Sequence, residues 1–295
     1  MNRGDERAEA DSSGSPAGGI PAPGRDLGDE AMYRRIAGNL FGDDVTPVAI
    51  DRFTIHEVLG TGGMGVVYAA HDPRLARVVA LKLIRDRSGD DGRTRSGERT
   101  RLIREAQALA RLAHPNVVQV YEVGEAAEGV FVVMERIVGR TLGAWLALRR
   151  RGRDEILAVF AQAARGLAAA HEAGLVHGDF KPANVLVGDS GRVHIVDFGL
   201  ARAVIHDTTV TSAGQAVAGE GRTHSQSDRA IAGTPAYMAP EQLRGAHVDA
   251  RSDVFAFCVA LFEALHGVRP FTPEALLDGS ARTPPGAARR LPRWL

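Results

Sequence analysis

His177, Asp179, Lys181 and Asn184 lie close together in the stretch HGDFKPAN, and Asp197-Phe198-Gly199 follows shortly after. An H-x-D-x-x-x-x-N loop followed by D-F-G supplies the residue types that phosphoryl transfer needs. One carboxylate, Asp179, can take the proton of an attacking hydroxyl. A second carboxylate, Asp197, and the amide oxygen of Asn184 can hold magnesium against the phosphates of a nucleotide.

These groups work only if other elements bring them together. Asn184 to Val187 and Val193 to Val196 read as two short strands joined by a Gly188-Asp189-Ser190-Gly191 turn. Such a hairpin carries Asn184, at the start of one strand, up to Asp197, at the end of the other. Earlier in the chain Phe53 to Leu59 alternates like a strand. It leads into Gly60-Thr61-Gly62-Gly63-Met64-Gly65, followed by a second strand from Val66-Val67 to Ala70. Glycines between two strands allow a tight turn whose backbone N–H groups approach phosphate oxygens with no Cβ in the way. A dinucleotide fingerprint would open a helix instead. Taken alone, a glycine-rich hairpin tip is as often purely structural.

Val78 to Ile84 is an apolar run broken only by Lys82. A buried ammonium needs a partner or a ligand, so Lys82 is either an edge lysine facing water or a phosphate-binding group. Leu102, Ala106, Leu109 and Leu112 predict a helix from Arg101 to Leu112 after a polar loop over 85–98, with Glu105 beside the apolar stripe. Strands are expected over 117–123 and 130–134, and helices over 141–150, 154–173 and 249–265. A short amphipathic helix fits 31–41. The stretch 206–229 is polar, with Thr208, Thr209, Thr211, Ser212, Thr223, Ser225 and Ser227, and a loop of that length is usually functional.

Composition narrows the classes. The 295 residues carry 36 basic and 36 acidic side chains, so net charge argues for neither nucleic acid nor anionic membrane as partner. No apolar stretch reaches the ~20 residues that a helical membrane span needs. The start of the chain lacks the apolar core of a secretory signal, so a cytoplasmic location is expected. Cys258 is the single cysteine, and its apolar surroundings, FAFCVALF, predict a buried, inert thiol. Residues 1–50 read as a disordered or loosely packed extension, because the first 28 are too poor in apolar groups to offset ordering entropy.

Together, from about Phe53 to Phe271, these motifs resemble the protein kinase family, in particular bacterial relatives of the eukaryotic serine/threonine kinases. The resemblance implies an α+β, two-lobed fold: a strand-rich N-lobe over 53–135 with one helix, and a helical C-lobe over 136–295 lacking its last helices. ATP and Mg2+ would sit in the cleft between. Carried over position by position, Gly60, Gly62 and Gly65 would cover the phosphates, and Thr61, Gly63, Met64, Val66 and Val67 would belong to the same cofactor-binding stretch. Lys82 would hold the α- and β-phosphates and Glu105 would orient Lys82. Met134 would be the gatekeeper, and the backbone at Glu135 and Ile137 would meet the adenine edge. Asp179 looks like the catalytic base and Lys181 like the lysine that steadies the transferring phosphate. Asn184 and Asp197 would be the metal ligands. Thr234 would shape the acceptor pocket, and Asp253 would anchor the catalytic loop through backbone N–H groups. Protein substrates are implied as partners, with dimers for autophosphorylation in trans.

Two departures stand out. Gly178 occupies a position where most regulated members have an arginine that pairs with a phosphorylated loop, so activity is expected to depend less on loop phosphorylation. Glu241, in Ala239-Pro240-Glu241, would pair in the family with an arginine from a later helix, of which Pro292-Arg293-Trp294-Leu295 resembles only the start. The H-G-D triplet also resembles aminoglycoside- and choline-type kinases, but these usually lack Lys181 and the A-P-E segment. A catalytically silent pseudokinase would keep the fold without transfer.

Overall fold

The computed structural model describes residues 48–62, 65–85, 92–198 and 235–281. Gly63, Met64, Gly199, Thr234, the 206–229 stretch, the helix read over 31–41 and the segment 292–295 lie outside them.

The N-terminal lobe is one antiparallel sheet. Its strands are β1 (Ala49–Ile50), β2 (Phe53–Gly62), β3 (Gly65–Asp72), β4 (Arg77–Arg85), β5 (Val120–Ala126) and β6 (Gly129–Met134), in the order β1-β2-β3-β4-β6-β5. The sheet starts before Phe53, because Val48 and Ile50 are buried and Ile50 pairs with Phe53. β4 is central, and every residue from Val79 to Ile84 is buried. Alternation divides that run between the two faces. Val79, Leu81 and Leu83 join Phe53, Tyr68, Phe131 and Val133 on the outer face. Ala80 and Ile84 face Leu102, Ala106 and Leu109 of the one N-lobe helix among the described residues. Lys82 shares the parity of Ala80 and Ile84, so it projects on the helix side.

That helix, α1, runs Gly92–Ala110 and so begins well before the expected Arg101. The polar sequence ahead of Arg101 is rich in arginine, which has good intrinsic helix propensity, so polarity alone did not make it a loop. The expected apolar stripe is buried, except that Leu112 falls beyond the helix end and is only partly covered.

The second lobe is built from α2 (Leu142–Leu148), α3 (Arg153–Glu172), α4 (Pro240–Leu243), α5 (Ala250–His266) and α6 (Pro273–Asp278). A small sheet of β7 (Gly139–Thr141), β8 (Val185–Gly188) and β9 (Val193–Ile195) accompanies them. The β8–β9 hairpin is the one expected; β7, three residues long, gave no readable pattern. α3 packs against α5 through Phe160 and Phe257, whose rings meet edge to face at 5.5 Å. It approaches the strand region so closely that a Cβ on Gly166 would lie 2.5 Å from the Asn116 carbonyl. Asp249 caps α5 by accepting from the Arg251 N–H at 2.7 Å. Cys258 corrects an expectation: it is exposed, one turn from Val254, which is 52% exposed. An apolar run does not say which side of a helix is covered, and in α5 these two residues share an outward face. Partial burial still pushes the Cys258 thiol above its ordinary value, so it is a poor nucleophile.

Candidate active site

The catalytic loop is held from below by one buried carboxylate. Asp253, 1% exposed on α5, accepts from the His177 N–H at Oδ2 (2.7 Å) and from the Gly178 N–H at Oδ1 (2.7 Å). His171, near the end of α3, adds its Nε2 to Oδ2 at 2.8 Å. Thus the anchoring expected of Asp253 is formed, with His171 as a third partner.

His177 is fully buried, and that burial pushes its pKa below the ordinary histidine value, against the opposing pull of Asp253 and Asp179. The neutral ring fits its contacts. Nδ1 accepts from the Asp179 N–H at 3.2 Å, so Nε2 carries the proton and donates to the Val196 carbonyl at 3.0 Å. Phe198 lies against the same ring at 4.7 Å between centroids. A single imidazole therefore ties the loop carrying Asp179 to the segment carrying Asp197.

Asp179, Lys181 and Asn184 form one cluster. Lys181 Nζ is 2.8 Å from Asp179 Oδ2, and Asn184 Nδ2 donates to the Asp179 carbonyl at 2.8 Å and to Oδ2 at 3.1 Å. The Val196 N–H donates to the Asn184 carbonyl at 3.0 Å, closing the base of the hairpin as its sequence predicts. Asp197 stands at the other end with φ +64, a left-handed conformation that Asp and Asn tolerate better than most residues.

Across the cleft, Lys82 is 4% exposed and its Nζ meets Asp197 Oδ1 at 2.8 Å. Here the structure differs from the implied pairing of Lys82 with Glu105. The buried ammonium takes Asp197 of the facing lobe, while Glu105 is bridged by Arg101 one turn back in α1 at 3.3 Å. A charge this deeply buried needs a compensating partner, and the β4 face directs Lys82 across the cleft.

In the glycine-rich stretch β2 and β3 pair to their ends, with Gly62 opposite Gly65. Gly60, Thr61 and Gly62 are exposed. Gly65 has φ +144, and a Cβ there would lie 1.9 Å from the Leu83 carbonyl, so no other residue fits. Val67 lies opposite Lys82 and packs on the inner core. Val66 does not face the cleft: its side chain is buried in the outer cluster with Phe53 and Tyr68. Met134 is buried at the end of β6. Beyond it the irregular segment 135–138 links the lobes, pinned where the Glu135 N–H donates to the Gln119 carbonyl and where Val138 accepts from the Asp189 N–H. Between these pins lie the Glu135 carbonyl and the Ile137 amide, the backbone positions expected to meet adenine. Burial pushes His194, on β9, below its ordinary pKa, although the charge of Glu135 pulls it the other way.

Glu241 accepts a hydrogen bond from the buried Ser252 hydroxyl. Sequence reasoning missed two contacts: the His171 bond to Asp253 and the bridge made by Gln242 (Ala239 N–H to Oε1, 3.0 Å; Nε2 to the Gly178 carbonyl, 2.8 Å). Only the third helical position of Gln242, where a side chain can reach back to the cap, hinted at half of that bridge.

Residues 53–281 match the protein kinase domain model, and the chain belongs to the protein kinase family. It is 40% identical over 228 residues to the serine/threonine-protein kinase PknL of Mycobacterium tuberculosis, covering 77% of this chain and 52% of that protein. It is 37% identical over 232 residues to the serine/threonine-protein kinase PknB of Mycobacterium leprae, covering 76% and 34%. The chain thus spans about half or less of the length of these curated relatives. The crystal structure of the Mycobacterium tuberculosis PknI kinase domain superposes with a TM-score of 0.60 at 27% identity, covering 84% of this chain and 85% of that one. The two-lobed fold expected from the motifs is the fold observed.

Proposed function

We propose that this chain transfers the γ-phosphate of ATP to serine and threonine hydroxyls of proteins, with Mg2+. The observation that supports it best is the cluster of Asp179, Lys181 and Asn184 on one loop, facing a buried Lys82 that reaches Asp197 at 2.8 Å. Family members use ATP and magnesium generally, and the residues present fit both. Asn184 spends its amide N–H groups on Asp179, so its oxygen is the atom left for a cation. Asp197 adds a carboxylate. Two protein oxygens suit Mg2+, which takes its remaining ligands from phosphate and water. The ion would supply charge neutralisation on the phosphates.

The chain's own residues do the rest. Lys82, buried at the cleft beside Asp197, would offer its charge to the phosphates. Lys181 and Asn184 both bond Asp179 at Oδ2, so among the described residues Oδ1 is the oxygen left to take the proton of an acceptor hydroxyl. Lys181 lies beside it, where the transferring group must pass. Positioning and charge stabilisation are most of what phosphoryl transfer asks of a protein. The Ser/Thr-rich stretch 206–229 is a natural first acceptor, supplied in trans by a second copy.

The test is transfer from γ-labelled ATP and Mg2+ to a generic basic protein, with an aminoglycoside offered in parallel. Label on serine or threonine supports the reading. Label on the aminoglycoside, or none from a folded chain that binds ATP, overturns it.

A further inference from the structure

Asp179 projects from the peptide plane it shares with Gly178, and Gly178 has φ +73 and no side chain to restrain it. Glycine explores more backbone conformations than any other residue, so that plane must be fixed by its hydrogen bonds. Its N–H end, on Asp179, is held by His177 Nδ1 at 3.2 Å. Its carbonyl end, on Gly178, is held by Gln242 Nε2 at 2.8 Å. Asp253 acts one plane earlier, on the Gly178 N–H. Among the described residues, Gln242 is therefore the side chain that completes the restraint, and it comes from another part of the chain, 64 residues away. Its Oε1 simultaneously takes the Ala239 N–H at 3.0 Å, so one amide group ties the start of α4 to the catalytic loop.

We propose that Gln242 is a positioning residue for Asp179: it fixes the orientation of the Gly178–Asp179 peptide and so couples the placement of α4 to the placement of the base. This rests on the phosphotransfer reading above for its kinetic consequence, but the geometric claim stands apart from it. The expected signature is a loss in the chemical step without a loss in nucleotide binding, because among the described residues Gln242 bonds the Gly178 and Ala239 backbone and none of those assigned to nucleotide.

Gln242→Glu and Gln242→Lys separate the two halves of the bridge. Glutamate keeps an acceptor for the Ala239 N–H but sets a carboxylate oxygen against the Gly178 carbonyl. Lysine keeps a donor for that carbonyl and gives up the acceptor. Two readouts are taken on both variants: kcat with KM for ATP, and amide hydrogen exchange across residues 176–184. Gln242→Glu is expected to lower kcat about tenfold, the scale of one hydrogen bond, with KM for ATP within about twofold. Its loop should exchange faster, while Gln242→Lys should be at least about threefold more active and better protected. Equal kcat and equal exchange in the two variants would overturn the assignment. Should the parent chain transfer no phosphate, the phosphotransfer reading fails instead. Exchange alone then decides: faster exchange in Gln242→Glu than in Gln242→Lys upholds the restraint, and matched exchange refutes it.

Discussion

Replacing Asp253 by asparagine keeps size and shape and removes only the charge and one acceptor oxygen. Asp253 receives three hydrogen bonds at 1% exposure, two of them from the backbone of the catalytic loop. In the better orientation of the new amide, its oxygen keeps one backbone N–H as a neutral bond. That downgrade from a charged to a neutral acceptor costs about 1 kcal/mol. The amide NH2 then faces the other backbone N–H, donor against donor. A buried donor left unsatisfied costs about 1–3 kcal/mol more. His171 can escape, since its side chain is 18% exposed and can turn to water. The sum is about 2–4 kcal/mol, or a melting temperature lower by roughly 4–16 °C for a domain of this size. Because the broken bonds belong to His177 and Gly178, kcat should fall as well. Asp249→Asn, at the exposed cap of the same helix, should cost well under 1 kcal/mol, since asparagine caps as well as aspartate. Denaturant melts of both variants make the comparison. Equal costs, or Asp253→Asn within about 0.5 kcal/mol of the parent, the scale of ordinary surface substitutions, would refute the anchoring argument.

Three further outcomes follow from the geometry. Asp197→Asn strands the Lys82 ammonium at 5% side-chain exposure and should cost about 2 kcal/mol, below the range for fully buried pairs because Asp197 itself is 31% exposed; Lys82→Met should cost less, and equal denaturation midpoints would contradict this. Gly166→Ala places a Cβ 2.5 Å from the Asn116 carbonyl and should destabilise by about 1–3 kcal/mol in the same assay, whereas a neutral result would mean that α3 can shift freely. Burial holds His177 and His194 below the ordinary histidine pKa, so the unfolded chain gains protons below about pH 6.5 that the folded chain resists. Stability from these two groups is therefore complete above that pH and falls as pH drops, by up to about 1.4 kcal/mol per unit for each; equal denaturation free energies at pH 7.5 and 5.5 would contradict it.

The candidate site was more legible than the scaffolding. Asp179, Lys181, Asn184 and Asp197 are named by motif spacing, and the hairpin that joins them follows from a turn between two β-branched runs. Lys82 stood out because a charge inside an apolar strand needs a reason. The structure supplies one, but with Asp197 as its partner in place of Glu105, a choice made across two lobes that no local pattern encodes. The start of α1 was missed because its polar first turns have helix propensity without an apolar stripe. Cys258 was misplaced because an apolar run does not say which face of a helix stays uncovered. Gln242 was invisible for a related reason: its partner is a backbone carbonyl, and every residue has one.

The most direct test of the site is Asp179→Asn. Transfer rate at saturating ATP and ATP affinity should be measured separately on the parent chain and the variant. With Asp179 as the base held by Lys181 and Asn184, the rate should fall by about 10²–10⁴-fold, the usual contribution of a positioned base, with ATP affinity essentially unchanged. Transfer retained within about tenfold of the parent, well short of that contribution, would contradict the assignment of the base, as would a parallel loss of ATP binding.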